Sequence, residues 1–229
     1  MEKIAFIGSY DKADLILYIA KILTAMKKKV VVIDYTSLQK TRYIVPTMEA
    51  SKQYITTFQG VDVAIGFGTF EEIKKYKGLE KNENLEYDYA LLDIDSYRGY
   101  YYLGVKTETK KFFVTSFDLY CLRRGLQVFK RLTEPTEVTK VYFTKEMDNA
   151  ENEYLNYMAR GLKIRWDQDI IYFPFETSDL NAIYNNQRSG QIRTRGLSST
   201  YLDGVSYMVE EITGASESEV KKAAKVLDR

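Results

Sequence analysis

The sequence contains no histidine and one cysteine, Cys121, among its 229 residues. Histidine is the side chain that titrates near neutral pH and binds zinc most often, so its absence argues against zinc sites and histidine-based general base catalysis. A single cysteine can form neither an intramolecular disulfide nor a thiolate metal cluster. We therefore expect no metal centre, and we expect Cys121 to fill space in an amphipathic helix.

An excess of one charge sign and long apolar runs are also missing. The 33 basic and 32 acidic side chains leave a formal net charge of +1, which predicts no global attraction to nucleic acid or to an acidic membrane. No apolar run reaches the ~18 residues that span a bilayer, and no signal peptide precedes the first predicted strand. The cytoplasm is the expected compartment. Hydrophobic residues make up 45 %, enough for a sizeable core.

The first thirty residues predict a strand, a tight loop and a helix. An apolar run ends at Gly8, and apolar residues then recur at helical spacing from Leu15 to Met26. This order is the one in which a phosphate-binding loop, G-x-x-x-x-G-K-[ST], holds its ligand. Counted from Gly8, however, that frame places Ala13, Asp14 and Leu15 where the glycine, lysine and hydroxyl residue belong.

The remainder of the chain predicts an α/β fold. The β-branched run from Val30 to Ile33 is typical of a strand that is buried on both faces in a parallel sheet. We predict a single doubly wound, three-layer domain spanning residues 1–229, with a mainly parallel sheet and helices on both faces. The strands expected at the centre of the sheet lie near Ile4, Val31, Leu91, Val114, Tyr142 and Tyr172.

Acidic residues close two of these predicted strands. Asp34 ends the second strand, and Asp93 ends the apolar segment that begins at Tyr87. An aspartate in the position of Asp93 orders Mg²⁺ in proteins that bind nucleotides. Acids at the carboxyl end of a parallel strand also serve as partners of nearby N–H groups, and this second interpretation is the one we favour for Asp93 and Asp95.

The order of these segments resembles the ParA/MinD family of P-loop ATPases, which have a deviant Walker A loop. The resemblance covers nearly the whole chain, and the segment from Ile171 to Phe175 is similar to the step that borders the family's adenine pocket. It implies a nucleotide site formed by the residues at the family's motif positions and by a loop lysine placed to act as a substitute: Gly8, Ser9, Lys12, Asp14, Asp34 and Asp93.

Four positions that carry the family's chemistry differ in this chain. Ser9 stands for the signature lysine, Asp14 for the phosphate-loop lysine, Leu15 for the Mg²⁺-binding threonine and Thr36 for the water-activating aspartate. One charge contact at ~4 Å and an effective dielectric constant of ~20 is worth ~4 kcal/mol, and an aspartate reverses its sign. The site is therefore predicted to be degenerate, without a catalytic residue and without bound ATP or Mg²⁺.

Two classes of function follow from this comparison. The first is a non-catalytic positioning or scaffold protein that acts through protein partners, similar to the degenerate TadZ/CpaE-like proteins of pilus and secretion systems. The second is a weak or unusual partition-type ATPase that binds nucleotide and DNA.

Three surface features bear on the choice between them. A run of tyrosines after Asp95 predicts an interface, with a nucleotide-independent homodimer or another protein as the partner: Tyr97, Tyr100, Tyr101 and Tyr102. The basic groups around Arg123 and Arg193 are interspersed with acids, which favours a solvated face over a DNA-binding one. The terminal segment 216–229 lacks the large apolar face of a membrane anchor.

Overall fold

The computed structural model describes residues 1–47, 51–80, 82–146 and 148–228. The strands are β1 (Glu2–Ile7), β2 (Val30–Tyr35), β3 (Tyr54–Phe58), β4 (Val61–Ile65), β5 (Tyr89–Ile94), β6 (Lys110–Thr115), β7 (Thr136–Thr144) and β8 (Ile164–Pro174). The α-helices are α1 (Ala13–Ala25), α2 (Thr41–Ile44), α3 (Phe70–Tyr76), α4 (Tyr97–Tyr102), α5 (Leu119–Leu126), α6 (Asn149–Met158), α7 (Thr177–Ser189), α8 (Ser199–Thr213) and α9 (Glu217–Lys225). Short 3₁₀ helices extend α5 and α9 over Gln127–Arg131 and Val226–Asp228.

All eight strands form one sheet in the order β3-β4-β2-β5-β1-β6-β7-β8. Every neighbouring pair is parallel except β3 and β4, which are antiparallel. The predicted α/β class with a mainly parallel, doubly wound sheet is confirmed.

The antiparallel strand β3 was not predicted. It pairs with β4 through a two-residue turn in which Gln59 and Gly60 both have positive φ angles, 51° and 85°. Two consecutive residues with positive φ match the twist of a right-handed hairpin. The polar segment 35–54 that precedes β3 was expected to hold a loop and a short helix, and α2 is that helix. Residues 48–50 of this segment lie outside the described residues.

Two apolar layers separate the sheet from the helices. Alternate residues of β1 point to opposite faces, so Ile4 and Phe6 contact one layer while Ala5 and Ile7 contact the other. Helices α1, α7, α8 and α9 cover the first face, and α3, α4, α5 and α6 cover the second. The central strands β2 and β5 are apolar without alternation because both of their faces are buried.

One strand takes a different place from the one predicted. The segment around Tyr172 was expected at the centre of the sheet, but it belongs to β8, which forms an edge. The first half of β8, from Ile164 to Asp169, is only partly covered. The sequence shows this in its polar side chains Arg165 and Asp167, which a central strand could not bury.

The carboxyl ends of β2, β5 and β1 lie side by side and define the region of interest. Connections from β1 and β6 run to opposite faces of the sheet, since α1 covers one face and α5 the other. In open α/β sheets a crevice forms at such a reversal, outside the carboxyl ends of the strands. The loop 8–12 and the segment after β2 both open into it.

Candidate functional site

A five-residue loop, 8–12, connects β1 to α1 across this crevice. Gly8 begins the loop with φ of 145°, and a Cβ atom built on it would lie 2.1 Å from the carbonyl oxygen of Val114. Only glycine fits so close to the neighbouring strand β6. The tight strand–loop–helix connection predicted from the sequence is therefore present.

Lys12 points into this loop rather than away from it. Its Nζ lies 2.6 Å from Oδ1 of Asp93 and donates a hydrogen bond of 2.8 Å to the carbonyl oxygen of Gly8. Lys12 and Asp93 are each only 3 % exposed. The cation of the loop thus neutralises the acid at the end of β5 and at the same time holds the loop closed on itself.

The environment of Asp93 raises the pKa of its carboxyl group. Burial raises the pKa of the Asp93 carboxyl to about 7, the adjacent Lys12 ammonium opposes this rise, and the Asp34 carboxylate adds to it. A carboxylate with this burial depends on its cation, because an uncompensated charge in the interior is costly.

Asp34 organises the segment that follows β2. One carboxylate oxygen accepts hydrogen bonds from the backbone N–H and the hydroxyl of Thr36, at 3.0 and 2.6 Å. The other accepts a bond of 3.1 Å from the backbone N–H of Thr41 at the start of α2. Both oxygens are therefore engaged in holding the backbone, and Thr36 serves in the same turn. This arrangement fits the interpretation of strand-end acids as partners of nearby N–H groups.

Asp14 lies in the first turn of α1 and is held by two residues that sequence reasoning did not single out. Its carboxylate accepts hydrogen bonds of 2.9 Å from the amide of Gln187 and lies 3.2 Å from the ammonium of Lys40. Lys40 also pairs with Asp11. Burial raises the pKa of Asp14, an effect that Lys40 and Gln187 oppose. Asp14 is thus satisfied by its own chain.

A cavity of about 280 Å³ lies over the loop. Two ammonium groups, from Lys12 and Lys40, and three carboxylates, from Asp11, Asp93 and Asp95, line it. Ser9 also lines the cavity, and among the described residues its buried hydroxyl has no hydrogen-bond partner. With all five groups charged, the lining carries more negative than positive charge.

A second cavity, of about 180 Å³, adjoins the first and shares Tyr10, Asp11 and Lys40 with it. The ring of Tyr10 stacks on that of Phe143 with centroids 4.7 Å apart, and Phe175 completes the aromatic wall. The predicted adenine-side segment 171–175 therefore does reach the loop. Sequence reasoning missed Tyr10 and Phe143 as its partners.

Neither a metal cluster nor a reactive thiol is found in the described residues. No group of three or more Asp, Glu, His or Cys side chains within 1–47, 51–80, 82–146 and 148–228 could hold a metal ion. Cys121 is buried in α5, and burial together with the neighbouring Asp118 raises the pKa of its thiol to about 11. A protonated, buried thiol is a poor nucleophile.

The tyrosine run forms helix α4 and divides between core and surface. Tyr101 and Tyr102 are 66 % and 46 % exposed, and the half-buried Tyr97 stacks on the ring of Tyr101. Tyr100 instead packs in the core beneath α4 and is only 7 % exposed. The part of the predicted interface that reaches the surface is therefore Tyr97, Tyr101 and Tyr102.

No protein-family model matches the sequence, and no curated protein matches it significantly. The structure is similar to several solved structures. One is a McdA variant from Cyanothece in complex with ATP, with a TM-score of 0.56, 12 % identity and coverage of 94 % of this chain and 97 % of that one. A ParA family ATPase from Chlorobium tepidum TLS has a TM-score of 0.54 and 15 % identity, with coverage of 97 % of this chain and 98 % of that one. The MinC:MinD cell division complex from Aquifex aeolicus has a TM-score of 0.50 and 15 % identity, with coverage of 100 % of this chain and 96 % of that one.

These similarities establish the fold. The chain shares the fold of these ParA, McdA and MinD structures over 94–100 % of its length. At 12–15 % identity they do not carry the chemistry of those proteins to this chain. Among the described helices, none combines the length and apolarity that a bilayer span requires.

Proposed function

We propose that this chain is a non-catalytic ParA/MinD-like positioning or scaffold protein that acts through protein partners. The observation that carries the proposal is the buried pair of Lys12 and Asp93. The ammonium group of Lys12 occupies the centre of the loop. One of the solved structures with the same fold, the McdA variant, holds ATP.

The energetics of this pair disfavour a triphosphate. A phosphate group that recruited Lys12 would leave the buried Asp93 without its cation, and losing one partner of a buried ion pair costs about 3–5 kcal/mol. The other cation, Lys40, is already paired with Asp11 and Asp14. The remaining charged groups of the lining are carboxylates, which repel phosphate oxygens.

The carboxyl edge of the sheet is the surface proposed for partner binding. The MinD structure cited above was solved with MinC, so that relative assembles with another protein. In this chain exposed tyrosines stand on the carboxyl edge of the sheet, and tyrosine is enriched in the cores of interfaces. A homodimer and a complex with another protein of a cytoplasmic pilus, secretion or similar assembly are the forms we propose.

One observation favours a second candidate, the weak partition-type ATPase that binds DNA. Lys12 and Lys40 both reach the first cavity, and the aromatic second cavity is joined to it through Tyr10. A base stacked on Tyr10 would bring its phosphates toward both lysines. This candidate requires Mg²⁺ or another cation to replace Lys12 as the ion-pair partner of Asp93.

Calorimetric titration with Mg-ATP separates the two candidates. We expect a dissociation constant weaker than about 1 mM and no phosphate release above background, because Lys12 is held by Asp93. Micromolar Mg-ATP binding would overturn the proposal, and DNA binding that appears only with ATP would support the second candidate.

A restoration variant serves as the matched control for this titration. Ala13→Gly, Asp14→Lys and Leu15→Thr together rebuild the missing loop positions, and its fold is first checked by circular dichroism because Leu15 is buried. A gain in ATP affinity would show that the side chains at positions 13–15 are the cause of the weak ATP binding. No gain in a folded variant attributes it to the Lys12–Asp93 closure of the loop.

A further inference from the structure

The second cavity of the candidate site has a chemical character that the proposed function does not use. Five aromatic rings line it, and no Lys or Arg side chain within the described ranges lies over any of them: Tyr10, Phe143, Phe175, Tyr184 and Tyr201. Phe175 and Tyr184 are 45 % and 47 % exposed, so the aromatic wall is accessible from solvent. The face of an aromatic ring is its negative side and attracts cations.

The charged groups of this lining are mostly acidic. Four carboxylates and one ammonium group line the cavity: Asp11, Asp14, Glu176, Asp179 and Lys40. The ammonium group of Lys40 is already paired with Asp11 and Asp14. A cleft in which one charge sign dominates concentrates ligands of the opposite sign.

Two of these carboxylates have no cation. Glu176 accepts one long hydrogen bond, of 3.4 Å, from the hydroxyl of Ser178, and Asp179 accepts hydrogen bonds from the backbone N–H and the hydroxyl of Ser198. Neither carboxylate forms an ion pair among the described residues. Both lie at the start of α7, where the helix dipole supplies only about half a positive charge. Most of their negative charge is therefore available to a ligand.

A buried hydroxyl group independently points to a ligand. Tyr201 lines the cavity and is only 3 % exposed, and its ring lies edge-on to those of Tyr18 and Phe173, with centroids 6.0 and 5.0 Å away. Among the described residues its hydroxyl has no hydrogen-bond partner, although a buried hydroxyl normally has one. This hydroxyl offers a ligand one donor and one acceptor group.

We propose that the second cavity binds a small organic ammonium ion, with its cationic group against the aromatic rings and its charge balanced by Glu176 and Asp179. A cavity of about 150 Å³ holds a molecule of the size of benzene, so the second cavity, of about 180 Å³, accommodates such an ion. The proposal goes beyond partner binding, because it gives the chain a small-molecule site that requires no nucleotide.

The charge of the lining favours this ligand over a nucleotide. Aromatic rings also stack on a nucleobase, but a nucleotide brings phosphate groups that the carboxylates repel. An ammonium ion is attracted by the rings and by the carboxylates at the same time.

Two kinds of ammonium ion share this chemistry. A quaternary head group, as in choline, has no N–H donor and relies on the rings. A primary ammonium group, as in putrescine, also donates hydrogen bonds to the carboxylates and to the hydroxyl of Tyr201.

Ligand-observed NMR titration of the full chain at constant ionic strength tests the proposal. The probes are choline and putrescine, each with a neutral analogue. The analogue of choline carries a tert-butyl group in place of the trimethylammonium group, and the analogue of putrescine is the diol of the same length. Adenosine is the probe for a nucleobase.

Two cavity variants and two matched controls accompany these probes. Glu176→Gln removes an unpaired charge, and Phe175→Leu removes a half-exposed ring. Glu153→Gln and Tyr154→Leu make the equivalent changes at exposed positions of α6, which covers the opposite face of the sheet. Circular dichroism melts verify that each variant is folded.

We expect at least one of the two ammonium ions to bind the wild type with a dissociation constant below about 1 mM, and its neutral analogue to bind at least about tenfold more weakly. Each cavity variant should weaken binding at least about threefold, while the controls on α6 match the wild type. Tighter binding of putrescine would identify primary amines as the ligand class, and tighter binding of choline would identify quaternary head groups.

The proposal is wrong if neither ammonium ion binds, if the neutral analogue binds as tightly as its ion, or if either folded cavity variant binds like the wild type. Adenosine binding in place of the ammonium ions would also overturn it and would support the second candidate function. The calorimetric titration with Mg-ATP judges the proposed function separately, so the two failures are distinguishable.

Discussion

The ammonium group of Lys12 and the carboxylate of Asp93 lie 2.6 Å apart, with both side chains almost completely buried. In a phosphate-binding loop this space belongs to the ligand and its metal. Here the loop and the end of β5 are connected by the chain itself, and Asp34 and Asp14 are likewise occupied by their neighbours.

Replacing Lys12 by methionine should destabilise the protein. Lys12→Met keeps most of the side-chain volume but leaves Asp93 buried without its cation, and we expect the free energy of unfolding to fall by about 3–5 kcal/mol. Urea denaturation measures it. The double variant Lys12→Met with Asp93→Leu removes both charges and should be more stable than the single variant. Equal stability of Lys12→Met and wild type would show that the pair contributes nothing.

The free energy of unfolding should decrease as the pH rises from about 4 to about 7. Asp93 has a pKa of about 7 in the native state against an ordinary value of 3.8, so the native protein holds more protons than the unfolded chain in this window. The stability that the protonated carboxyl contributes is complete below the lower value and is lost as the pH passes the upper one.

Asp93→Asn should reduce this decrease, because it removes the titrating group and leaves Asp34 and Asp11 in place. Urea denaturation of both proteins across the same pH window provides the comparison. Identical slopes for the two proteins would assign the pH dependence to other groups.

Removing the Asp34 carboxylate should loosen the turn before α2. Asp34→Ala leaves the backbone N–H groups of Thr36 and Thr41 without their acceptor, and we expect a loss of about 1–3 kcal/mol together with faster amide exchange over residues 36–41. Thr36→Val removes the hydroxyl that donates to Asp34 and accepts from the backbone N–H of Gln39, but it keeps the Asp34 carboxylate as the acceptor of both backbone N–H groups, so its effect should be smaller. Unchanged exchange in Asp34→Ala would contradict the role given to this carboxylate.

The tyrosines of α4 should separate into two groups on mutation. Tyr101→Ser with Tyr102→Ser changes exposed rings, so the stability should stay within about 0.5 kcal/mol of the wild type while self-association weakens. Tyr100→Ser removes a buried ring and should cost about 3–5 kcal/mol. Light scattering and urea denaturation give the two quantities. Undiminished association in the first variant would place the interface elsewhere, and a loss of stability would show that the exposed rings contribute to the fold.

Most of the fold could be predicted from the sequence because its central strands are strong local signals. Each of these signals lies within one short stretch of sequence: the apolar runs of β1, β2 and β5, and the helical spacing of apolar residues in α1. Strand β3 could not be found in this way. Its residues Tyr54–Phe58 mix buried, half-buried and exposed positions, and its hairpin turn Gln59–Gly60 is less distinctive than an Asn-Gly pair.

The candidate site was only half predictable, for a different physical reason. The loop and its acids are local motifs, so Gly8, Asp34 and Asp93 could be named beforehand. Their partners Lys40 and Gln187 come from a segment without periodicity and from the distant helix α7. A long-range pairing of this kind leaves no trace in residue spacing. Lys12 was identified as the loop cation, but its partner, the carboxylate of Asp93, depends on tertiary geometry alone.

The strand order has a consequence for how the chain is made. Strand β1 is synthesised before both of its neighbours in the sheet, β5 and β6, which begin at Tyr89 and Lys110. Its backbone therefore has no native neighbour in the sheet until residues 8–88 have been translated. Closing such long loops slows folding, and fragments that end before Tyr89 cannot form the middle of the sheet. Premature termination products of this chain should accordingly expose an unpaired apolar strand and be substrates for chaperones and proteases.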